Sequence, residues 1–284
     1  MIEKNKVYVV TGACGFLGKE LTKRIVNSGA IVKTICLNEK DSADIKSTFG
    51  DSVQTLIGDI SDENIVNRLI SYDVEGVFHL AAFKYVGLAE KETLKCIKSN
   101  VIGSLNVLES SVESNVKFVM CTSTAAAVKV SGVYGASKMI MEKMFEEYSN
   151  KYDHIKFRTL RYGNILYSTG SVLCKWKNAV IDNKEIIITD ENSTRFFTTL
   201  EESVDLIFES LKGEELLYVP QIKSFRMGDL LECLEEKYSS DRYVSKIKKI
   251  GLQPGENKHE KLSKDGLNSD EVDRFTKKEI MRLI

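Results

Sequence analysis

The chain has 284 residues, of which 43% are hydrophobic and 29% are charged, a composition typical of a globular, water-soluble protein. Its length accommodates one large α/β domain with a smaller appended region, or two domains. With 40 basic and 41 acidic side chains the net charge is −1, so no basic field exists to gather nucleic acid or an anionic membrane.

The apolar segments and the cysteine spacing further limit the class of protein that the sequence allows. No apolar stretch approaches the ~20 residues that a membrane span needs, and the first apolar run, Val7–Val10, is too short for a signal-peptide core. The six cysteines form no CxxC pair, which predicts reduced cysteines rather than a disulfide framework or a metal site. Cys14 has no base beside it in the sequence, so we expect no nucleophilic role for it. A cytoplasmic protein without a metal is expected.

The first two-thirds of the chain alternates short β-rich runs with helical stretches. This alternation indicates an α/β fold, a Rossmann-type doubly wound parallel sheet whose ligand lies at the carboxyl ends of the strands. We assign it residues 1–165, as an NAD(P)-binding domain. The predicted strands are Val7–Val10, Ile31–Leu37, Val53–Ile57, Gly76–Ala82, Lys117–Ser123 and Lys156–Tyr162, and the predicted helices are Phe16–Asn27, Asp62–Ser71, Leu94–Ser114 and Tyr134–Tyr148.

The last third changes character. We expect residues 166–284 to form mainly a small C-terminal substrate-binding region. The polar end from Ser263 onward is predicted to be mobile. Predicted strands here are Glu185–Thr189, Thr194–Thr199 and Tyr218–Pro220, and predicted helices are Leu200–Leu211 and Met227–Lys237.

A glycine-rich loop joins the first strand to the first helix, with glycines spaced GxxGxxG. The first glycine permits a tight turn, the second lets the backbone approach a pyrophosphate, and the third lets the helix pack closely on the sheet. The helix N-terminus adds N–H donors and positive potential. The loop therefore predicts a dinucleotide site lined by Gly12, Cys14, Gly15, Phe16, Leu17 and Gly18.

The end of the second strand bears on which dinucleotide is bound, because a carboxylate there selects NAD through the ribose 2′-hydroxyl. Asn38 has no charge to repel a 2′-phosphate and Lys40 could attract one, whereas Glu39 would act in the opposite sense. We expect NADP, used as NADPH, with NAD as the alternative. Asp59 and Ile60 end the third strand, where a carboxylate can accept a hydrogen bond from the adenine amino group.

Tyr134 and Lys138 lie four residues apart at a predicted helix start and therefore share one face. An ammonium beside a phenol favours phenolate, which predicts a lowered pKa for Tyr134. Tyr134 would then donate or accept a proton while hydride moves between a carbon and nicotinamide. Thr124, at the end of the preceding strand, would hold the substrate oxygen. His79 is expected to be a packed, hydrogen-bonded histidine rather than a catalyst.

These motifs resemble the extended short-chain dehydrogenase/reductase family, and residues from about Lys6 to Glu260 are similar to the inverting UDP-N-acetylglucosamine 4,6-dehydratases. The resemblance implies a nucleotide-sugar enzyme of bacterial polysaccharide or glycan biosynthesis, working as a dimer or larger homo-oligomer. The segments that carry it are Leu80–Val86, Cys96–Val101, Arg161–Asn164, Gly170–Val172, Ile188–Asp190, Thr194–Phe196 and Pro254–Glu256.

The resemblance also implies individual contacts. Arg195 would bind the diphosphate, which suits the planar fork of its guanidinium. Lys84 would lie over the sugar or its phosphates, and Glu256 near the uridine. The further implied cofactor contacts are Leu80, Ala81, Ala82 and Asn100, and the further implied substrate contacts are Thr124, Ala125, Asn164, Ser171 and Val172.

One departure from the family changes the expected reaction. In the dehydratases the strand before the tyrosine ends Ser-Thr-Asp-Lys, whereas here Ala125 and Ala126 follow Thr124. Alanine has no titratable group, so the pair that eliminates water across C5 and C6 is missing, and losing a positioned acid or base lowers a rate by ~10²–10⁴-fold. The usual Asn-Pro pair is also replaced, by Lys129 and Val130, which favours natural divergence over deliberate inactivation.

Tyr134, Lys138 and Thr124 remain, and these residues suffice for hydride transfer. The first hypothesis is an NAD(P)H-dependent reductase of the C4 ketone of a UDP-4-keto-6-deoxy-N-acetylhexosamine, giving a UDP-6-deoxy-aminosugar such as UDP-QuiNAc. The alternatives are a UDP-N-acetylhexosamine epimerase, a UDP-N-acetylglucosamine 4,6-dehydratase with active-site substitutions, and a cofactor-binding regulator without activity.

Overall fold

The computed structural model of the protein describes residues 2–239 and 246–284. Their strands are β1 (Val7–Thr11), β2 (Ile31–Cys36), β3 (Val53–Ile57), β4 (Val74–His79), β5 (Phe118–Thr124), β6 (Lys156–Tyr162), β7 (Asn164–Ile165), β8 (Ile186–Ile188), β9 (Thr194–Thr198), β10 (Leu217–Tyr218), β11 (Ser224–Arg226) and β12 (Ile247–Lys249). Seven of them form a sheet in the order β3-β2-β1-β4-β5-β6-β10, in which every neighbouring pair is parallel. The predicted Rossmann-type α/β fold is confirmed.

Helices separate the strands and cover the sheet. They are α1 (Phe16–Asn27), α2 (Glu39–Phe49), α3 (Glu63–Leu69), α4 (Val86–Ala89), α5 (Thr93–Ile97), α6 (Gly103–Glu113), α7 (Val133–Lys151), α8 (Val172–Ile181), α9 (Leu200–Ser210), α10 (Met227–Tyr238) and α11 (Lys277–Leu283). A π-helical segment, Lys98–Ile102, joins α5 to α6, so the helix predicted as continuous over 94–114 is interrupted. In the described ranges, none of the helices combines the length and apolarity that crossing a membrane requires.

The alternation of side chains along β1 divides the core between the two faces of the sheet. Tyr8 and Val10 pack with Leu21 of α1 on one face, whereas Val9 packs with Phe145 of α7 on the other. Burying a side chain of this size contributes about 1.5–3 kcal/mol. Helices on both faces therefore hold the strand ends, where the glycine loop begins, in fixed positions.

The later part of the chain builds a second core beneath two small sheets, one with the order β11-β9-β7 and one pairing β12 with β8. Helices α8, α10 and α11 supply the remaining apolar side chains. The rings of Phe197 and Phe225 stack at its centre, 4.7 Å apart. Residues 166–284 also return to the first unit, because β10 extends the large sheet beside β6 and Val204 of α9 packs in the core with α1.

Four helices, α2, α4, α8 and α11, were not predicted, and the prediction of a mobile C-terminus is wrong. Thr276 and Glu279 form a reciprocal capping box at the start of α11, and Ile280 is fully buried in the second core. In α2 the buried side chains are only Ser42 and Ile45, too few to give a helical apolar period. The predicted fourth strand also ends earlier, at His79, and the residues after it form a loop.

Candidate active site

The carboxyl ends of β1, β4 and β5 open onto a cavity of about 1100 Å³ that extends to α8 and to the segment around Glu256. Most of the residues singled out from the sequence line it. Those predicted for the cofactor are Gly12, Cys14, Gly15, Phe16, Leu17, Gly18, Asp59, Ile60, Leu80, Ala81, Ala82, Tyr134 and Lys138. Those predicted for the substrate are Lys84, Thr124, Ala125, Asn164, Ser171, Val172, Arg195 and Glu256.

The glycine loop is held tightly enough that side chains would not fit. Gly12 has φ +75°, and a Cβ there would lie 2.9 Å from the backbone nitrogen of Ala81. A Cβ at Gly18 would collide with the carbonyl oxygen of Gly12. The loop therefore leaves backbone N–H groups and the N-terminus of α1 facing the cavity, which is the cradle that a dinucleotide pyrophosphate fits.

A chain of buried hydrogen bonds supports the floor of this cradle. The Ser104 hydroxyl donates to the carbonyl oxygen of Asn100 (2.8 Å), so it accepts from His79 Nε2 (2.9 Å). His79 Nδ1 then accepts from the Thr11 hydroxyl (2.8 Å), which itself accepts from the backbone N–H groups of Leu80 and Ala81. Burial, with the nearby charge of Lys138, lowers the pKa of His79 to about 3. His79 is therefore a neutral, packed residue, as the sequence indicated.

Asn100 and Asn38 do not take the cofactor-facing positions expected of them. The Asn100 side chain is buried and accepts from the backbone N–H of Phe83 (2.7 Å) while donating to Ser137 Oγ (2.9 Å). It thus ties the loop after β4 to α7. Asn38 caps α2 by accepting from the backbone N–H of Asp41 (2.9 Å). Neither expectation is met: Asn38 is occupied by the backbone of α2, and Asn100 by Phe83 and Ser137, which are distant from it in sequence.

Asp41 is a lining residue that sequence analysis missed. It lies in the first turn of α2 and faces the cavity beside Cys14, whose Sγ is 3.7 Å from the Asp41 carbonyl oxygen. Its carboxylate accepts from the Asn38 amide (3.0 Å). Sequence analysis considered Glu39 and Lys40 of this turn, but because α2 was not predicted it did not extend to Asp41.

Tyr134 lies in the first turn of α7, and its hydroxyl is hydrogen-bonded to the Thr124 side chain at the end of β5. Burial raises the pKa of Tyr134 to about 12, although the bond with Thr124 acts in the opposite sense. The lowered pKa predicted from the sequence is therefore wrong for this structure, because desolvation of the phenolate outweighs the stabilising contacts. Tyr134 is a protonated acid at neutral pH.

Lys138 and Ser123 present buried polar atoms to the cavity that the protein leaves poorly satisfied. Lys138 Nζ donates to the weak acceptor Met141 Sδ (3.2 Å), and burial lowers its pKa. Ser123 Oγ is buried and has no hydrogen-bond partner within the described residues. Unsatisfied groups of this kind are expensive unless a ligand completes them. They fit a polar ligand such as the ribose of a dinucleotide.

Ala125 lines the same cavity as Tyr134 and Thr124 and carries no titratable group. It is 3% exposed, and its methyl group packs against Phe196 and Leu262 while the residue lines the cavity. Ala126 follows it in a single 3₁₀ turn, whose start is capped by Thr124. The short turn therefore consists of three alanines, none of which has a side chain that could transfer a proton.

The substrate-facing half of the cavity brings together residues distant in sequence. Glu260 is a second lining residue missed by sequence analysis; it accepts from the backbone N–H of Phe196 (3.0 Å) and from Asn164 Nδ2 (3.4 Å). Arg195 Nε lies 3.7 Å from Glu260 Oε1. Burial raises the pKa of Glu260, although Arg195 acts in the opposite sense. Only the fold brings these groups together, since Asn164 and Glu260 are 96 residues apart.

Helix α8 also faces the cavity. Ser171 caps its N-terminus by accepting from the backbone N–H of Cys174 (3.4 Å), and Lys175 and Trp176 line the wall one turn later. Lys84 also lines the cavity, and its Nζ donates to the carbonyl oxygen of Thr169, just before this helix (3.0 Å). The spacing of the buried Leu173, Trp176 and Val180 was the signal that could have identified this helix.

Comparison with known proteins identifies the family to which this chain belongs. Residues 8–283 match the family model described as polysaccharide biosynthesis protein. The inverting UDP-N-acetylglucosamine 4,6-dehydratase of Campylobacter jejuni is 32% identical over 269 residues, covering 92% of this chain and 78% of that protein. The UDP-glucose 4-epimerase of Rickettsia bellii is 29% identical over 268 residues, covering 91% of this chain and 77% of that protein.

Among solved structures, Pen from Bacillus thuringiensis superposes with a TM-score of 0.87 at 27% identity, covering 93% of this chain and 85% of that chain. The glycine loop, the Tyr134–Lys138 pair and the parallel sheet agree with these similarities. The chain belongs to the polysaccharide biosynthesis protein family and is an NAD(P)-dependent enzyme of the short-chain dehydrogenase/reductase type.

Proposed function

We propose that the protein reduces the C4 ketone of a UDP-4-keto-6-deoxy-N-acetylhexosamine, giving a UDP-6-deoxy-aminosugar such as UDP-QuiNAc. The observation that carries the proposal is Ala125, which lines the same cavity as Tyr134 and Thr124 and carries no titratable group. By the resemblance described above, the 4,6-dehydratases have the carboxylate of an Asp-Lys pair there. Without that pair, the groups that remain are sufficient for carbonyl reduction but not for elimination of water.

In this reaction Tyr134 acts as the acid, and Thr124 and Lys138 support it. A bound reduced nicotinamide supplies the hydride. Tyr134, protonated because burial raises its pKa to about 12, donates its proton to the oxygen of the reduced carbonyl. Thr124 orients the phenol through their hydrogen bond and stabilises the phenolate that remains. Lys138 adds positive charge within the same cavity and would hold the ribose of the cofactor.

Cationic groups in the outer cavity suit a nucleoside diphosphate. Lys84, Lys175 and Arg195 line it together with the N-terminus of α8, and Arg195 can pair with two phosphate oxygens. We assign the diphosphate to these groups and the uridine to the side of Asn164 and Glu256. The proposal includes a cytoplasmic homo-oligomer, in which residues 1–165 mainly bind the cofactor and residues 166–284 mainly the sugar nucleotide.

The raised pKa of Tyr134 predicts the pH dependence of ketone reduction. Reduction needs the protonated phenol, and a group with a pKa of about 12 stays protonated as the pH rises through neutrality. We expect kcat/KM to show no loss from Tyr134 ionisation between about pH 6 and about pH 9. Steady-state rates across this range measure it. A descending limb with a midpoint near pH 7 that is retained in Lys138→Met would contradict the assignment.

The lining favours NADH over the NADPH expected from the sequence. Asn38 caps α2 and is not among the residues that line the cavity. Asp41 lines the cavity, and the carboxylate of Asp41 would repel a 2′-phosphate. We expect Asp41→Asn to raise the NADPH-to-NADH ratio of kcat/KM by about tenfold, a change of ~1.4 kcal/mol. Asp44→Asn, on an exposed position of the same helix, is the matched control and should leave the ratio unchanged.

The epimerase is the second candidate, supported by the 29% identity with the Rickettsia bellii enzyme over 91% of the chain. The same residues would oxidise C4, release the keto sugar to turn within the cavity, and return the hydride. The wide cavity of about 1100 Å³ is compatible with such a rotation.

Two parallel incubations separate these activities. Purified protein is mixed with NADH or NADPH and either a UDP-4-keto-6-deoxy-N-acetylhexosamine or UDP-N-acetylglucosamine, and both the absorbance of the reduced nicotinamide and the UDP-sugar products are followed. Stoichiometric consumption supports the reductase. Interconversion of two UDP-N-acetylhexosamines without net consumption supports the epimerase instead. Formation of a 4-keto-6-deoxy product from UDP-N-acetylglucosamine would restore the dehydratase and refute the role given to Ala125.

A further inference from the structure

Two cysteines meet at the wall of the cofactor cradle. Cys14 lies within the glycine loop and Cys36 ends β2, and their sulfur atoms are 3.2 Å apart. Both residues line the large cavity. Cys14 is half-buried and Cys36 is 1% exposed, so a small reagent entering the cavity reaches Cys14 first. The neighbouring residues provide no third ligating side chain that would make this a metal cluster among the described residues.

We propose that Cys14 and Cys36 form a reversible dithiol–disulfide site that responds to two-electron thiol oxidants and controls dinucleotide binding. The inference goes beyond the reductase and does not depend on it. A disulfide requires an S–S separation of about 2.0 Å, so the sulfurs must approach by roughly 1 Å. Because Cys14 is part of the loop between Gly12 and Gly15, that approach displaces the backbone that cradles the pyrophosphate.

The chemistry divides naturally between the two thiols. The hydrogen bond with Cys36 lowers the pKa of the Cys14 thiol, whereas the same contact and burial raise the pKa of Cys36. Cys14 is therefore the thiol that ionises first and attacks, since the thiolate is the nucleophile. Cys14 needs no base next to it in the sequence, because Cys36, 22 positions later, supplies the contact that lowers its pKa.

An external oxidant accepts the two electrons that are released when the two thiols form a disulfide. With a diazene such as diamide, the Cys14 sulfur adds to one nitrogen and forms an S–N bond. The Cys36 sulfur then attacks the Cys14 sulfur, the S–N bond breaks, and the hydrazine leaves with both protons. With a small-molecule disulfide, two thiols leave instead. In each case the two cysteines are oxidised by two electrons and the reagent is reduced.

The test compares reduced and diamide-treated protein by alkylation mass spectrometry and by NADH binding. We expect treatment to remove two hydrogens, to protect Cys14 and Cys36 from alkylation, and to weaken NADH binding about tenfold through a displaced hydrogen-bond donor. Dithiothreitol should reverse both effects. Cys36→Ser cannot close the disulfide and should not lose two hydrogens; diamide that it retains should appear as an added mass on Cys14. Cys174→Ser should respond as the wild type does.

Two outcomes would overturn the proposal. One is treated wild-type protein in which Cys14 and Cys36 both remain alkylatable. The other is a Cys14–Cys36 disulfide that leaves NADH affinity unchanged. Because neither readout uses a sugar nucleotide, failure of the proposed reductase activity would leave this test intact.

Discussion

Tyr134→Phe is expected to lower kcat for ketone reduction by about 10²–10⁴-fold, the range for loss of a positioned general acid. The phenol is protonated, is hydrogen-bonded to Thr124 and lines the cavity, so the substitution removes only the proton donor and keeps the ring. Binding of NADH, followed by its fluorescence, should change little. Stopped-flow or steady-state consumption of NADH measures the rate.

The matched control is Tyr148→Phe on the same helix. Tyr148 packs against Tyr152 and Phe157 away from the cavity, so its hydroxyl takes no part in the reaction. This variant should reduce the ketone at close to the wild-type rate. A Tyr134→Phe protein that keeps the wild-type kcat would show that another group protonates the substrate.

Arg161→Leu is expected to lower the free energy of unfolding by about 3–5 kcal/mol, because it leaves the carboxylate of Glu142, whose side chain is only 14% exposed, without its partner. Arg161 is 7% exposed, and its Nε donates to Glu142 Oε1 of α7 (3.0 Å). Its Nη1 also donates to the carbonyl oxygen of Leu262 (2.7 Å). The guanidinium thus ties the segment carrying Glu260 to the helix that carries Lys138. Urea unfolding followed by circular dichroism measures the change.

A double-mutant cycle separates the ion pair from general packing. Arg161→Leu combined with Glu142→Leu removes both charges, so its loss of stability should be smaller than that of Arg161→Leu alone. Lys143→Ala breaks an exposed pair with Glu146 on the same helix and should change the unfolding free energy by less than about 1 kcal/mol. Equal losses in the single and double variants would contradict the role of the pair.

The features that the sequence could predict are those encoded locally. The GxxGxxG loop needs only three glycines between an apolar strand and a helix, and Tyr134 and Lys138 share a face through their spacing alone. Helix α2 escaped prediction because its buried side chains are only Ser42 and Ile45. Because α2 was not predicted, sequence analysis did not identify Asp41 and assigned Asn38 as a ribose contact.

Other errors come from tertiary contacts that no local pattern encodes. The pKa of Tyr134 depends on how deeply the assembled cavity buries it, and burial outweighs the effect expected from a lysine four residues later. Asn100 is occupied by Phe83 and Ser137, which reach it only after the chain has folded. Glu260 enters the site through contacts with Phe196 and Arg195.

The most direct test of the reductase follows a label from the cofactor to the sugar. The protein is incubated with NADH deuterated at the transferable position of the nicotinamide and with UDP-4-keto-6-deoxy-N-acetylglucosamine, and the product is analysed by mass spectrometry and NMR. The account predicts one deuterium per sugar, located at C4, with one NADH oxidised for each alcohol formed. A UDP-sugar product without deuterium at C4, formed while the NADH remains reduced, would contradict it.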